Sequence, residues 1–156
     1  METSEIGKIY EAIANKLNEI VPDSWKNIYM YGEVLDDSSE VYFYFSSQTS
    51  KELVYGHDIP EIFNVDKKIY KQLLRELLKD VSNLYIGYKE NNEEVWTNFT
   101  FYLDHTGEFK IEFNYEDILN CPYTSSERQV IWEYEVLHLE PNSERDKELI
   151  RKDKKI

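Results

Sequence analysis

The sequence predicts an α+β domain: an antiparallel sheet of two hairpins with helices packed on one face. Three observations carry that expectation. Two stretches alternate in side-chain character with period two, each broken by turn residues. Two others repeat apolar residues at three- and four-residue spacing, the stripe of an amphipathic helix. The length, 156 residues, suits a single domain that removes roughly 68–70% of its unfolded surface from water. Residues 1–156 are therefore expected as one domain, with 151–156 as a basic tail.

The first helix is lined by Ile6, Ile9, Tyr10, Ile13, Leu17 and Ile20, with Ser4 expected as its N-cap and Pro22-Asp23 as its end. From Trp25 to Leu35, Ile28, Met30 and Val34 alternate with Tyr29, Tyr31 and Glu33, which is strand periodicity. Asp36-Asp37-Ser38-Ser39 is turn chemistry, and Glu40 to Ser46 alternates Val41, Phe43 and Phe45 with Tyr42 and Tyr44 to complete a hairpin. Tyr55 to Pro60 is expected as a short strand and a loop. Asp66 caps a long helix reaching Tyr88, with Ile69, Leu73, Leu77, Val81 and Leu84 on its inner face, Tyr70, Leu74 and Leu78 broadening that face, and most of its basic residues outside.

Val95 to Leu103 begins a second hairpin, with Val95, Thr97, Phe99, Phe101 and Leu103 opposed by Trp96, Asn98, Thr100 and Tyr102. His105-Thr106-Gly107 supplies its turn, and Phe109, Ile111, Phe113 and Tyr115 form the next inward row. Ser125 or Ser126 opens a helix running to Leu137, and Asn142 or Ser143 caps a short last one. The two hairpins are the nearest thing to a repeat, and there is neither a low-complexity tract nor a linker.

Charge narrows the function. The net formal charge is −13, and it is segregated: −3 over residues 1–24, −5 over 25–64, +3 over 65–89, −11 over 90–148 and +3 in the tail. A chain so acidic is a poor binder of nucleic acid or anionic membrane, because phosphate contacts need clustered Lys and Arg. A segregated negative surface instead steers basic partners through its field. The charged N-terminus has no apolar signal core, and the longest apolar run, Val41 to Phe45, is far short of a membrane span. These features point to a cytoplasmic protein.

The catalytic inventory is thin. His57-Asp58 with Glu61 offers metal donors but lacks the helical spacing of a metal-binding dyad, and Asp58 is expected to bond backbone groups ahead of Ile59-Pro60. His105 sits in a turn, His138 at a helix end, and the lone Cys121 has no neighbouring histidine. The five glycines are scattered, so no phosphate loop is present. No catalytic residue, metal or cofactor is assigned.

What remains is aromatic and acidic side chains interleaved. If Ile28, Met30, Val34, Val41, Phe43 and Phe45 face the core, then Tyr29, Tyr31, Tyr42 and Tyr44, with Glu33 and Glu40, share the opposite face. Tyrosine offers large contact area with few rotors and is favoured at binding hot spots. The alternative is that helices cover both faces and bury these rings.

The series Trp25…Tyr29-Met30-Tyr31-Gly32-Glu33, Val41-Tyr42-Phe43-Tyr44-Phe45, His57-Asp58-Ile59-Pro60, Trp96-Thr97-Asn98 and Arg128…Ile131-Trp132-Glu133-Tyr134, with Pro141 and Arg145-Asp146, resembles the YezG-like immunity protein family. The likeness runs from the first helix to Glu148. The family pattern has a Leu-Gly step late in the Trp-Tyr helix, where this chain has Leu137-His138. The resemblance implies a small cytoplasmic antitoxin of Gram-positive bacteria that neutralises a nuclease toxin exported through an LXG-type module and a type VII secretion system. It brings no catalytic residues.

The expected function is thus an immunity protein that binds a cognate basic nuclease domain and keeps DNA from its cleft. The expected partner-binding residues are Tyr29, Tyr31, Glu33, Asp36, Asp37, Tyr42 and Tyr44, with Glu93, Glu94, Glu112, Glu116 and Asp117 as a second acidic patch. Two other classes compete: an acidic adaptor or secretion chaperone that leaves catalysis intact, and a metal-dependent hydrolase built around His57 and Asp58.

Overall fold

The computed structural model describes residues 4–36, 38–91 and 94–154. Lys155 and Ile156, the end of the expected basic tail, lie outside the described residues. The chain packs as two units, one ending at Asp117 and one beginning at Ile118.

In the first unit, α1 (Ser4–Ile20) leads into β1 (Trp25–Val34), β2 (Ser39–Ser47) and β3 (Leu53–Tyr55). A 3₁₀ turn (Gly56–Asp58) and the short α2 (Ile59–Ile62) precede α3 (Lys67–Asn91), β4 (Asn98–Asp104) and β5 (Phe109–Asn114). The strands make one antiparallel sheet in the order β3-β2-β1-β4-β5. The fold is α+β, and both expected hairpins are present. They are welded into a single sheet by the β1–β4 pair, in which Ile28 faces Leu103, Met30 faces Phe101 and Gly32 faces Phe99.

One face of this sheet carries the core. Ile28, Met30, Phe43, Phe45, Phe99, Phe101 and Leu103 cluster with Ile6, Ile13 and Leu17 of α1 and with Leu77, Val81 and Leu84 of α3. Burying each such side chain contributes about 1.5–3 kcal/mol, so this contact fixes the register of every strand. Gly32 is required here: a Cβ on it would stand 2.6 Å from a Phe99 ring carbon. The two helices are tied by a buried Tyr10–Tyr88 hydroxyl pair at 2.6 Å and by Lys16 Nζ donating to Glu76 Oε1, also at 2.6 Å.

Several expected positions move. Ile69 does not lead the inner face of α3 but is 58% exposed. Tyr70 takes that place, its hydroxyl donating to the Gly56 carbonyl at 2.6 Å, so the buried stripe is Tyr70, Leu77, Val81, Leu84 and Tyr88. Val95 to Thr97 precede β4 rather than opening it. Tyr115 falls beyond the end of β5 and is exposed, whereas Phe109 keeps the inward row, stacked on Phe101 at 5.2 Å while 42% exposed at this edge. Asp58 makes no side-chain capping bond to α2, because it is still in helical conformation as the chain runs from the 3₁₀ turn straight into the helix.

The second unit holds α4 (Ser125–Leu137) and α5 (Glu144–Lys154). As expected, α4 opens at Ser125, and Thr124 caps it. Its hydroxyl accepts from Glu127 N while the Glu127 carboxylate accepts from Thr124 N at 2.9 Å. Such a reciprocal box is worth about 1 kcal/mol. The helix ends on His138 in the left-handed region, φ 58°. Ser143 caps α5 by accepting from Asp146 N at 3.1 Å. Tyr123 donates to Asp153 at 3.1 Å, and Lys154 donates to the Tyr134 hydroxyl while lying over its ring, so the segment before α4 and the helix itself are both tied to α5. No helix among the described residues is long and apolar enough to cross a membrane.

Candidate partner-binding site

On the sheet face opposite the core, strand pairing sorts the side chains into rows. The first row crosses all five strands as Tyr55, Tyr44, Tyr29, Tyr102 and Lys110. The next contains Tyr42, Tyr31, Thr100 and Glu112, and the one beyond it Glu40, Glu33, Asn98 and Asn114. The face therefore grades from aromatic to acidic along the strands.

The rings touch. Tyr31 and Tyr42 stack at 4.8 Å, Tyr44 meets Tyr55 at 5.0 Å, and Tyr29 stands edge-on to Tyr102 at 6.1 Å. Tyr31 donates to the Glu33 carboxylate at 2.7 Å and Tyr102 to that of Glu112 at 2.6 Å. Burial, and then the bond to Glu112, pushes the Tyr102 phenol well above the ordinary tyrosine range. Lys110 adds a cation 4.6 Å from the centre of the Tyr102 ring.

The four expected tyrosines do share this face, but they are not a uniformly open platform. Tyr31, Tyr42 and Tyr44 are buried, as is Glu33 at 3% exposure, and Tyr29 is half-buried. Sequence alternation identified the face and not its accessibility. Tyr55 and Tyr102 extend the row beyond the expected residues. Tyr102 did alternate out of the apolar row of its strand, but only the β1–β4 pairing reveals that it adjoins Tyr29.

The acidic residues divide differently. Asp37 and Glu93 lie outside the described residues. Asp36, Glu94, Glu112, Glu116 and Asp117 are exposed. The two patches that sequence treated separately meet at one end of the sheet. Val34 N–H donates to the Thr97 carbonyl at 3.1 Å, which sets the start of the β1–β2 turn beside the entry to β4. Thr97 in turn donates through its amide to Asn114 O at 2.9 Å and through its hydroxyl to Glu116 O at 2.7 Å. Asp36, Glu94, Glu116 and Asp117 thus lie on segments that meet at one rim of the sheet.

The other candidates are dispersed. His57 stacks on Tyr55 at 4.9 Å, and burial lowers its pKa. His105 lies in the β4–β5 turn, its amide donating to the Lys26 carbonyl. Cys121 is a half-buried free thiol directed at the Tyr123 carbonyl. Among the described residues no group of three or more His, Cys, Asp and Glu could hold a metal ion.

A family profile described as immunity protein YezG-like matches residues 6–151. The chain belongs to the YezG-like immunity protein family. It is 48% identical over 141 residues to the immunity protein YezG of Bacillus spizizenii, covering 90% of this chain and 88% of that one. It is 45% identical over 142 residues to the immunity protein YezG of Bacillus subtilis, covering 91% and 94%. With a Staphylococcus aureus protein named type VII secretion system protein EsaG it shares 29% identity over 140 residues, covering 90% and 86%. Its role is accordingly that of an immunity protein, which implies a toxin as partner.

Proposed function

We propose that this immunity protein binds and inhibits a cognate nuclease toxin, exported by a type VII secretion system, in the cytoplasm of the cell that makes both. The observation that carries the reading is the convergence of Asp36, Glu94, Glu116 and Asp117 on one rim of the sheet. A nuclease cleft is positive because it must hold phosphates, so an acidic rim competes for it without any chemistry of its own. Complementary charge lifts association from roughly 10⁵–10⁶ M⁻¹s⁻¹ toward 10⁸–10⁹ M⁻¹s⁻¹ at low salt. Charges farther apart than about 8 Å are screened at physiological salt, so capture is salt-sensitive while close contacts that hold the complex are not. The name of the Staphylococcus aureus relative supports the secretion link and also a second reading, a chaperone that carries its partner without inhibiting it.

The test is co-expression with the C-terminal domain encoded by the adjacent gene, scored for survival and co-purification, followed by a DNA-cleavage assay on the purified complex. Survival with cleavage abolished supports inhibition. A stable complex that still cleaves DNA fully moves the assignment to the chaperone.

A further inference from the structure

The two edges of the sheet differ. β3 is three residues long and runs directly into the 3₁₀ turn. β5 pairs six consecutive residues with β4 without a register break and has no neighbour on its other side among the described residues. It contains neither a proline nor a bulge, two of the devices that blunt an edge, and its charges are Lys110 and Glu112. The Asp104 amide donates to the Glu108 carbonyl at 2.9 Å, so residues 108, 110, 112 and 114 occupy hydrogen-bonded positions of the ladder. That alternation turns the backbone N–H and C=O groups of Phe109, Ile111 and Phe113 away from the sheet.

We infer that the β5 edge takes an extended, basic strand of the toxin by β-augmentation, an inference that rests on the proposed function. The side chains define the occupant. On one side of the pleat Phe109 is 42% exposed and is followed by Ile111 and Phe113, an apolar row for alternate residues of an added strand. On the other side Glu108 and Glu112 flank Lys110, and Glu116 and Asp117 follow, so positions 108–117 carry four acidic groups and one basic group. A strand alternating apolar residues with Lys or Arg complements both sides, its main chain supplying affinity and its charges supplying register. A second copy of this chain is the poorer match, since each carries a net charge of −13 and repels the other.

Amide exchange followed by NMR on the full chain, free and bound to the co-expressed toxin domain, decides the matter. The expected result is exchange slowed about tenfold or more at Phe109, Ile111 and Phe113 on binding, with the already bonded amides of Lys110 and Glu112 changed far less. Ile111→Pro removes one outward donor without touching the β4 ladder. If circular dichroism shows it folded, binding weakens about tenfold, as the loss of one or two backbone hydrogen bonds requires. A complex that inhibits cleavage while these three amides exchange as in the free protein overturns the edge assignment and leaves the proposed function standing. Failure to form any complex overturns both. Protection of the same amides that rises with the concentration of the free chain assigns the edge to self-pairing and overturns the toxin strand.

Discussion

The hydroxyl of Thr97 donates to the main-chain carbonyl of Glu116 at 2.7 Å, across the end of the sheet. This bond joins the approach to β4 with the acidic segment that leaves β5, and it places Glu116 and Asp117 beside the β1–β2 turn.

Replacing Thr97 with Val keeps the shape of the side chain and removes that donor. Stability should fall by about 0.5–1.5 kcal/mol, the net worth of one hydrogen bond, read from a urea midpoint with an unchanged slope. Association with the toxin domain should slow as well, since the acidic rim loses its anchor.

Gly32 leaves the space that the Phe99 ring of β4 fills. A Cβ there would meet the Phe99 ring at 2.6 Å, and that ring is itself packed against Trp96 at 5.0 Å. Gly32→Ala should therefore destabilise the fold by about 1–3 kcal/mol, the usual penalty of overpacking, as measured by thermal or chemical denaturation.

These contacts also show what was legible in the sequence. The alternation of Met30 and Phe43 with Tyr31 and Tyr42 revealed both strands and the two faces, because side-chain direction follows period two. The pairing of β1 with β4 joins segments more than sixty residues apart, and nothing local encodes it. For the same reason Tyr102 was not joined to Tyr29, and the two acidic patches were not seen to meet. Ile69 was misplaced because apolar spacing alone cannot tell it from Tyr70, whose polar tip finds the Gly56 carbonyl. Burial of Tyr31 and Tyr42 was open to two readings, since alternation says which way a ring points and not whether water reaches it.

His138 closes α4 with φ 58°, a conformation that penalises every residue with a Cβ. His138→Gly should stabilise the protein by about 1 kcal/mol, seen as a higher melting temperature.

The Lys16–Glu76 bridge gives a pH signature. Its hydrogen bond holds the Glu76 carboxyl below the usual range and raises the Lys16 ammonium, against the opposing effect of desolvation on each. A depressed carboxyl stabilises the fold above its unfolded pKa, near 4.3, and that stability is lost as pH falls through the lower folded value. The raised amine contributes below its unfolded pKa, near 10.4, and is lost as pH climbs through the higher folded value. Glu76→Gln should therefore lower the melting temperature slightly at neutral pH and flatten its decline in acid. The difference should vanish once Glu76 of the parent is fully protonated.

Stopped-flow association rates against salt test most directly the proposed capture of a basic toxin domain by the field of the acidic rim. The parent chain should bind with a rate that falls steeply as salt rises, while dissociation barely changes. Asp36→Lys combined with Glu116→Lys should slow association by about tenfold or more at low salt and leave the folded state intact. An association rate that is the same for parent and variant at low salt, and flat against ionic strength in both, would contradict it.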